Sequence, residues 1–220
     1  MTPDEILKHV YEDVSNTLDQ PLITFPSILA NIELVSQNIN NRACVRVILA
    51  CSLAKIHLEE IDIRKPYTEI GSEDTYSGRT FDERYIAPFI TMYELPCNST
   101  TAFLTPALRN RNTVLTPELN LSGRPKEIYR AMLELLSDVH KERISAHQLL
   151  GETIRQLIIL RNEKKQRMAS LISSLNSAGD DVQLSAEQII KLVEQHLATK
   201  GASRLPVLIV AAAYATASPY

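Results

Sequence analysis

Ala43-Cys44-Val45-Arg46-Val47-Ile48-Leu49-Ala50-Cys51-Ser52-Leu53-Ala54-Lys55-Ile56 decides the fold. Wound as a helix, this stretch is apolar on nearly every side, through Ala43, Val45, Val47, Ile48, Leu49, Leu53 and Ile56. A helix without a polar face belongs at the centre of a domain, covered by other elements. The pattern predicts that it runs from Arg42 to Glu60. Amphipathic helices stand on its N-terminal side to cover it. One runs from Thr2 to Leu18, with Ile6, Val10 and Val14 on one face. Another runs from Pro26 to Ile39, with Ile28, Ile32 and Val35 as its stripe. Thr2, Pro3 and Glu5 form a helix start with a capping box rather than a signal peptide, so a cytoplasmic location is expected.

On the C-terminal side the character changes. From Asp62 to Arg124 the chain is rich in Pro, Thr, Asn and Gly. One helix is predicted inside it, opened by a capping box at Thr80-Phe81-Asp82-Glu83 and bent or ended by Pro88. From Leu95 to Arg124 there is almost no periodicity. The apolar residues Phe103, Leu104, Leu108, Val114 and Leu115 nevertheless predict an ordered irregular segment laid over the helices. Helical periodicity returns from Pro125 to Asn176, as two helices meeting near Ser137–Ser145 or as one long helix. After a linker at Asn176–Asp181, a capped helix runs from Ser185 to Lys200, and a last helix begins near Ser203. The fold class expected is therefore all-α: an irregular multi-helix domain with a long ordered loop segment near 62–124. Residues 1–176 form that domain and residues 177–220 a C-terminal helical pair. The final apolar run, Leu205 to Ala217, is too short to span a membrane and is expected to lie under the preceding helices or under a further domain.

Composition narrows the function classes. A chain of 220 residues with 45% hydrophobic and 22% charged residues is globular rather than disordered. A net charge of -3 argues against a generally cationic surface, so any nucleic-acid contact must come from a local patch. Aromatic residues make up 5% of the chain and Trp is absent, which leaves little for a base-stacking platform. Cys44, Cys51 and Cys97 show no CxxC pairing; the first two read as small hydrophobes of the central helix.

No complete catalytic site emerges from spacing. The six glycines form no phosphate loop, and none of the five histidines makes an HxxxH pair or stands at zinc-ligand distance from a cysteine. The ExK-like Glu163-Lys164-Lys165 lies in a helical, solvent-facing run, not on the adjoining strands that hold Mg²⁺ in a nuclease. What remains is the middle segment. Arg64, Lys65, Tyr67, Arg79, Arg84, Asn98, Arg109, Asn110 and Arg111 place cations among hydroxyls and amides. Arg forks suit phosphates and guanine edges, and Asn suits adenine. The competing reading is that Arg79 and Arg84 pair with Asp74, Asp82 or Glu83, while Asn and Thr cap turns.

Asp62-Ile63-Arg64-Lys65-Pro66-Tyr67-Thr68-Glu69-Ile70-Gly71, followed by Tyr76-Ser77-Gly78-Arg79-Thr80 and Leu95-Pro96-Cys97-Asn98, resembles the N-terminal half of SacI-type restriction endonucleases. The apolar helix before it and the Ser122-Gly123-Arg124-Pro125 turn after it are similarly placed. The resemblance covers roughly residues 25 to 140 in short, gapped matches. It implies the helical N-terminal part of a type II enzyme that cleaves double-stranded DNA with Mg²⁺. The nuclease domain would then lie beyond this chain, with duplex DNA as partner, a homodimer as a second expectation, and no membrane. It implies no catalytic residue here; the Arg- and Asn-bearing segment alone carries over, as a DNA contact. The alternative, from a different class, is a non-catalytic helical interaction or regulatory module. A basic concave surface around Arg64, Arg79 and Arg109 would favour the first reading, and an exposed apolar groove with the arginines in intramolecular salt bridges would favour that alternative.

Overall fold

Twelve consecutive residues of the central helix, Ala43 to Ala54, are buried in the computed structural model, Arg46 and Ser52 included. The structure describes residues 1–38, 42–97, 101–109, 112–176, 190, 191 and 194. Helix makes up 66% of the structure, and no strand occurs among the described residues. The elements are α1 (Pro3–Asn16), α2 (Pro26–Gln37), α3 (Ala43–His57), α4 (Gly78–Phe81), α5 (Ala87–Met92), α6 (Lys126–His140) and α7 (Ala146–Asn176). The chain divides into two compact units, Met1–Lys165 and Gln166–Tyr220, with the boundary inside α7.

In the first unit α3 packs against α1, α2, α4 and α6, as a helix apolar all round requires. The expected stripes are buried, Ile6, Val10 and Val14 on α1, joined by Leu7, and Ile28, Ile32 and Val35 on α2. The predicted capping box of α1 is present, with the Glu5 amide donating to Thr2 Oγ1 at 3.3 Å and the Thr2 amide to Glu5 Oε2 at 2.7 Å. α3 stops at His57, short of Glu60, where Lys55 Nζ turns back to donate to the carbonyl of Ile61 at 2.8 Å. Of the two arrangements open for 125–176, two helices is the one observed. α6 ends at His140, and α7 starts after a second reciprocal cap, between Ser145 and Gln148.

One local expectation fails at the helix of the middle segment. Its cap is Ser77, whose Oγ accepts from the Thr80 amide at 3.2 Å, so Thr80 lies inside the helix and caps nothing. The helix begins at Gly78, where a Cβ would stand 2.7 Å from both Phe103 Cζ and Pro66 Cβ. Only a glycine lets these three stretches approach so closely. Pro88, expected to bend or end the helix, does not end it. A π-helical turn over Asp82–Ile86 precedes it, with the Ala87 amide reaching back five residues to the Asp82 carbonyl. Pro88 thus occupies the first turn of α5, where its missing N–H is not needed.

From Leu95 onward the irregular segment contains two single turns, Ala102–Leu104 and Pro106–Leu108. Phe103, Leu108 and Leu115 are buried, 5%, 1% and 1% exposed, and fasten the segment to the helices. Leu104, expected to help, is 38% exposed; the tight turn that buries Phe103 leaves its neighbour outside. In the second unit, α7 residues 166–170 and 173 are exposed, as are Ile190, Lys191 and Glu194. The linker and the helices expected beyond Asn176, apart from those three residues, lie outside the described residues.

Candidate nucleic-acid interface

The chain enters the middle segment through a hub at Asp62. Its carboxylate accepts from the Arg64 amide at 2.9 Å and from the Arg64 fork, Nε at 3.0 Å and Nη2 at 2.7 Å. His140 Nδ1, at the end of α6, stands 3.5 Å away. Burial pushes the Asp62 carboxyl up, but the Arg64 bonds and the His140 charge outweigh it and hold it below the ordinary aspartate value of 3.8. The main chain is tied at the same place, where the Leu115 amide donates to the Arg64 carbonyl at 2.8 Å. Arg64 is therefore an internal fastener, with its side chain 20% exposed.

Lys65 behaves alike. Its Nζ lies 2.9 and 2.7 Å from the two carboxylate oxygens of Asp74, and Lys65, followed by Ser72, holds Asp74 down to about 2. Tyr67 is buried, 6% exposed; its hydroxyl donates to the Leu108 carbonyl at 2.9 Å, and its ring meets Phe103 edge-on at 6.0 Å. Arg79 Nε binds Glu83 Oε1 at 2.8 Å, one helical turn along, and Thr101 Oγ1 reaches the same oxygen at 3.4 Å. Arg84 is exposed, with its guanidinium 5.5 Å from the centre of the Tyr85 ring. Arg109 is exposed and donates from Nε to the Leu104 carbonyl at 2.8 Å. Asn98, Asn110 and Arg111 lie outside the described residues.

The structure thus gathers Arg79, Glu83 and Thr101 at one place, and ties Arg64, Lys65 and Tyr67 into the interior connections of the segment. The pairing of Arg79 follows the competing expectation from sequence, whereas among the described residues Arg84 meets the Tyr85 ring and no carboxylate. Asp82, offered as a partner for these arginines, belongs to Arg46. Arg46 Nε donates to Asp82 Oδ1 at 2.8 Å with both side chains 0% exposed, and Asp82 Oδ2 accepts from the Ala102 amide at 2.9 Å. Burial lifts the Asp82 carboxyl above its ordinary value against the pull of Arg46. This pair joins α3, the π turn and the irregular segment. Its sequence signal was Arg46 among the apolar residues of the central helix, where a buried cation demands an acid partner.

Two basic residues of α7, Arg161 and Lys165, are also engaged. Arg161 Nη1 donates to the Tyr11 hydroxyl at 3.0 Å and to the Tyr93 carbonyl at 2.8 Å, and Lys165 pairs with Glu94. The rings of Tyr11 and Tyr93 stack there at 3.8 Å. Among the described residues, no three His, Cys, Asp or Glu side chains are grouped to hold a metal ion, so no Mg²⁺ position is assigned. No helix among them is long and apolar enough to cross a membrane. Comparison of the chain with protein-family models, with curated proteins and with solved structures returned no match.

Asp62 and Asp74, two of the carboxylates held below their ordinary values, contribute a pH dependence. A carboxyl held below its unfolded value contributes stability that is fully present above that value and is lost as pH falls through the folded one. For Asp62 and Asp74 the loss begins below 3.8, and for Asp74 it extends to about 2. Urea midpoints measured at about pH 5, above that range, and at about pH 2.5, well inside it, should fall on acidification. In the Asp62→Asn/Asp74→Asn variant the fall should be smaller. An equal fall in both proteins would show that these pairs do not couple folding to pH.

Proposed function

We propose that this chain is a non-catalytic helical interaction module whose middle-segment cations maintain its own fold. The observation that carries the reading is internal neutralisation: Arg64 on Asp62, Lys65 on Asp74, and Arg79 on Glu83. A cation already bound to a carboxylate must give up that partner before it neutralises a phosphate, which removes much of the gain from counterion release. The net charge of -3 supports the same reading, since the rest of the chain supplies no attracting field. A protein partner is supported by Met92, 72% exposed beside the exposed Pro88 and Thr91 on α5. An exposed methionine on a helix face adapts readily to a partner's surface.

A second reading, favoured by Arg84 and Arg109, is the DNA-contacting N-terminal part of a SacI-type restriction endonuclease. Both arginines are exposed, and among the described residues neither meets a carboxylate. In that reading Mg²⁺ and the cutting residues belong to a further domain outside this chain. Both readings give the same expectation for the purified 220-residue chain. Incubated with plasmid DNA and Mg²⁺, it should leave supercoiled molecules intact. Site-specific linear products would overturn both, because the nuclease centre would then have to lie in these residues.

A further inference from the structure

We draw no further inference here: the strongest candidate, the groove of about 540 Å³ between Pro117–Leu121 and the first two turns of α6, has an apolar lining of Leu119, Leu121 and Leu133 under a rim where Glu118 and Glu127 balance Lys126 and Arg130, and nothing in the structure shows what covers it.

Discussion

Asp82→Ala should lower the stability of the chain by about 3–5 kcal/mol, the usual cost of stripping one partner from a buried ion pair. Arg46 cannot move to water, because its side chain is 0% exposed within a helix that is itself enclosed. The substitution also removes the acceptor of the Ala102 amide, which is buried beside Phe103. Both losses fall on the same place, so the 101–109 stretch should loosen before the helices do. Urea denaturation measures the total, and amide exchange at Ala102 measures the local part. The pair itself is a different matter. Replacing both members, as Arg46→Met/Asp82→Leu, should cost much less than either single change, because no unmatched charge remains. If the double variant is as unstable as Asp82→Ala, the harm comes from lost shape and hydrogen bonding, and the charge argument fails.

A comparable loss is expected at Glu152, whose side chain is 0% exposed on α7. Its Oε1 accepts from Arg155 Nε at 2.9 Å and from Gln156 Nε2 at 3.2 Å, while Oε2 accepts from the Leu22 amide at 2.9 Å. Arg155 Nη1 continues the chain of bonds to the Leu18 carbonyl at 2.7 Å. One carboxylate therefore fastens the α1–α2 connection to α7, where Gly151 leaves room for Leu22: a Cβ there would stand 2.5 Å from Leu22 Cδ1. Glu152→Ala leaves a buried guanidinium and a main-chain amide without their acceptor, and should cost about 3–5 kcal/mol. Glu152→Gln keeps an oxygen for one of these donors and should cost clearly less. Equal losses in the two variants, read from thermal or urea midpoints, would mean that the carboxylate has no special part in the junction.

These two clusters mark where the sequence stopped being readable. Periodicity identified α1, α2, α3, α6 and α7, because apolar stripes and caps such as Thr2–Glu5 are local signals. The all-round apolar character of α3 correctly placed it at the centre. Glu152 and Arg155 look like ordinary surface residues of a helix, since their burial depends on the α1–α2 connection lying across them, a contact about 130 residues away in sequence. The Thr80 cap failed for a related reason. Ser77 offers the same oxygen three residues earlier, and the contact of Gly78 with Phe103 and Pro66 fixes which of the two begins the helix. Pro88 leaves the helix unended because it falls in the first turn of α5, after the π turn over Asp82–Ile86.

The candidate site was legible only as composition. The segment's acids match its bases, which already implied pairing, but not which acid takes which base. Asp74 goes to Lys65, nine residues back, and Asp82 leaves the segment altogether for Arg46. With those two acids taken, Arg84 rests on a ring and Arg109 on a carbonyl.

On the proposed reading, the middle-segment cations serve the fold rather than a nucleic acid. Fluorescence anisotropy of a labelled DNA duplex tests it, titrated with the parent chain and with the Arg84→Ala/Arg109→Ala variant over a salt series centred near about 0.15 M. Weak, sequence-independent signals, the same for both proteins and without a saturable phase, are the expected result. Saturable binding by the parent, with a log–log salt slope that drops by about one unit for each arginine removed, would contradict it and assign the duplex to Arg84 and Arg109.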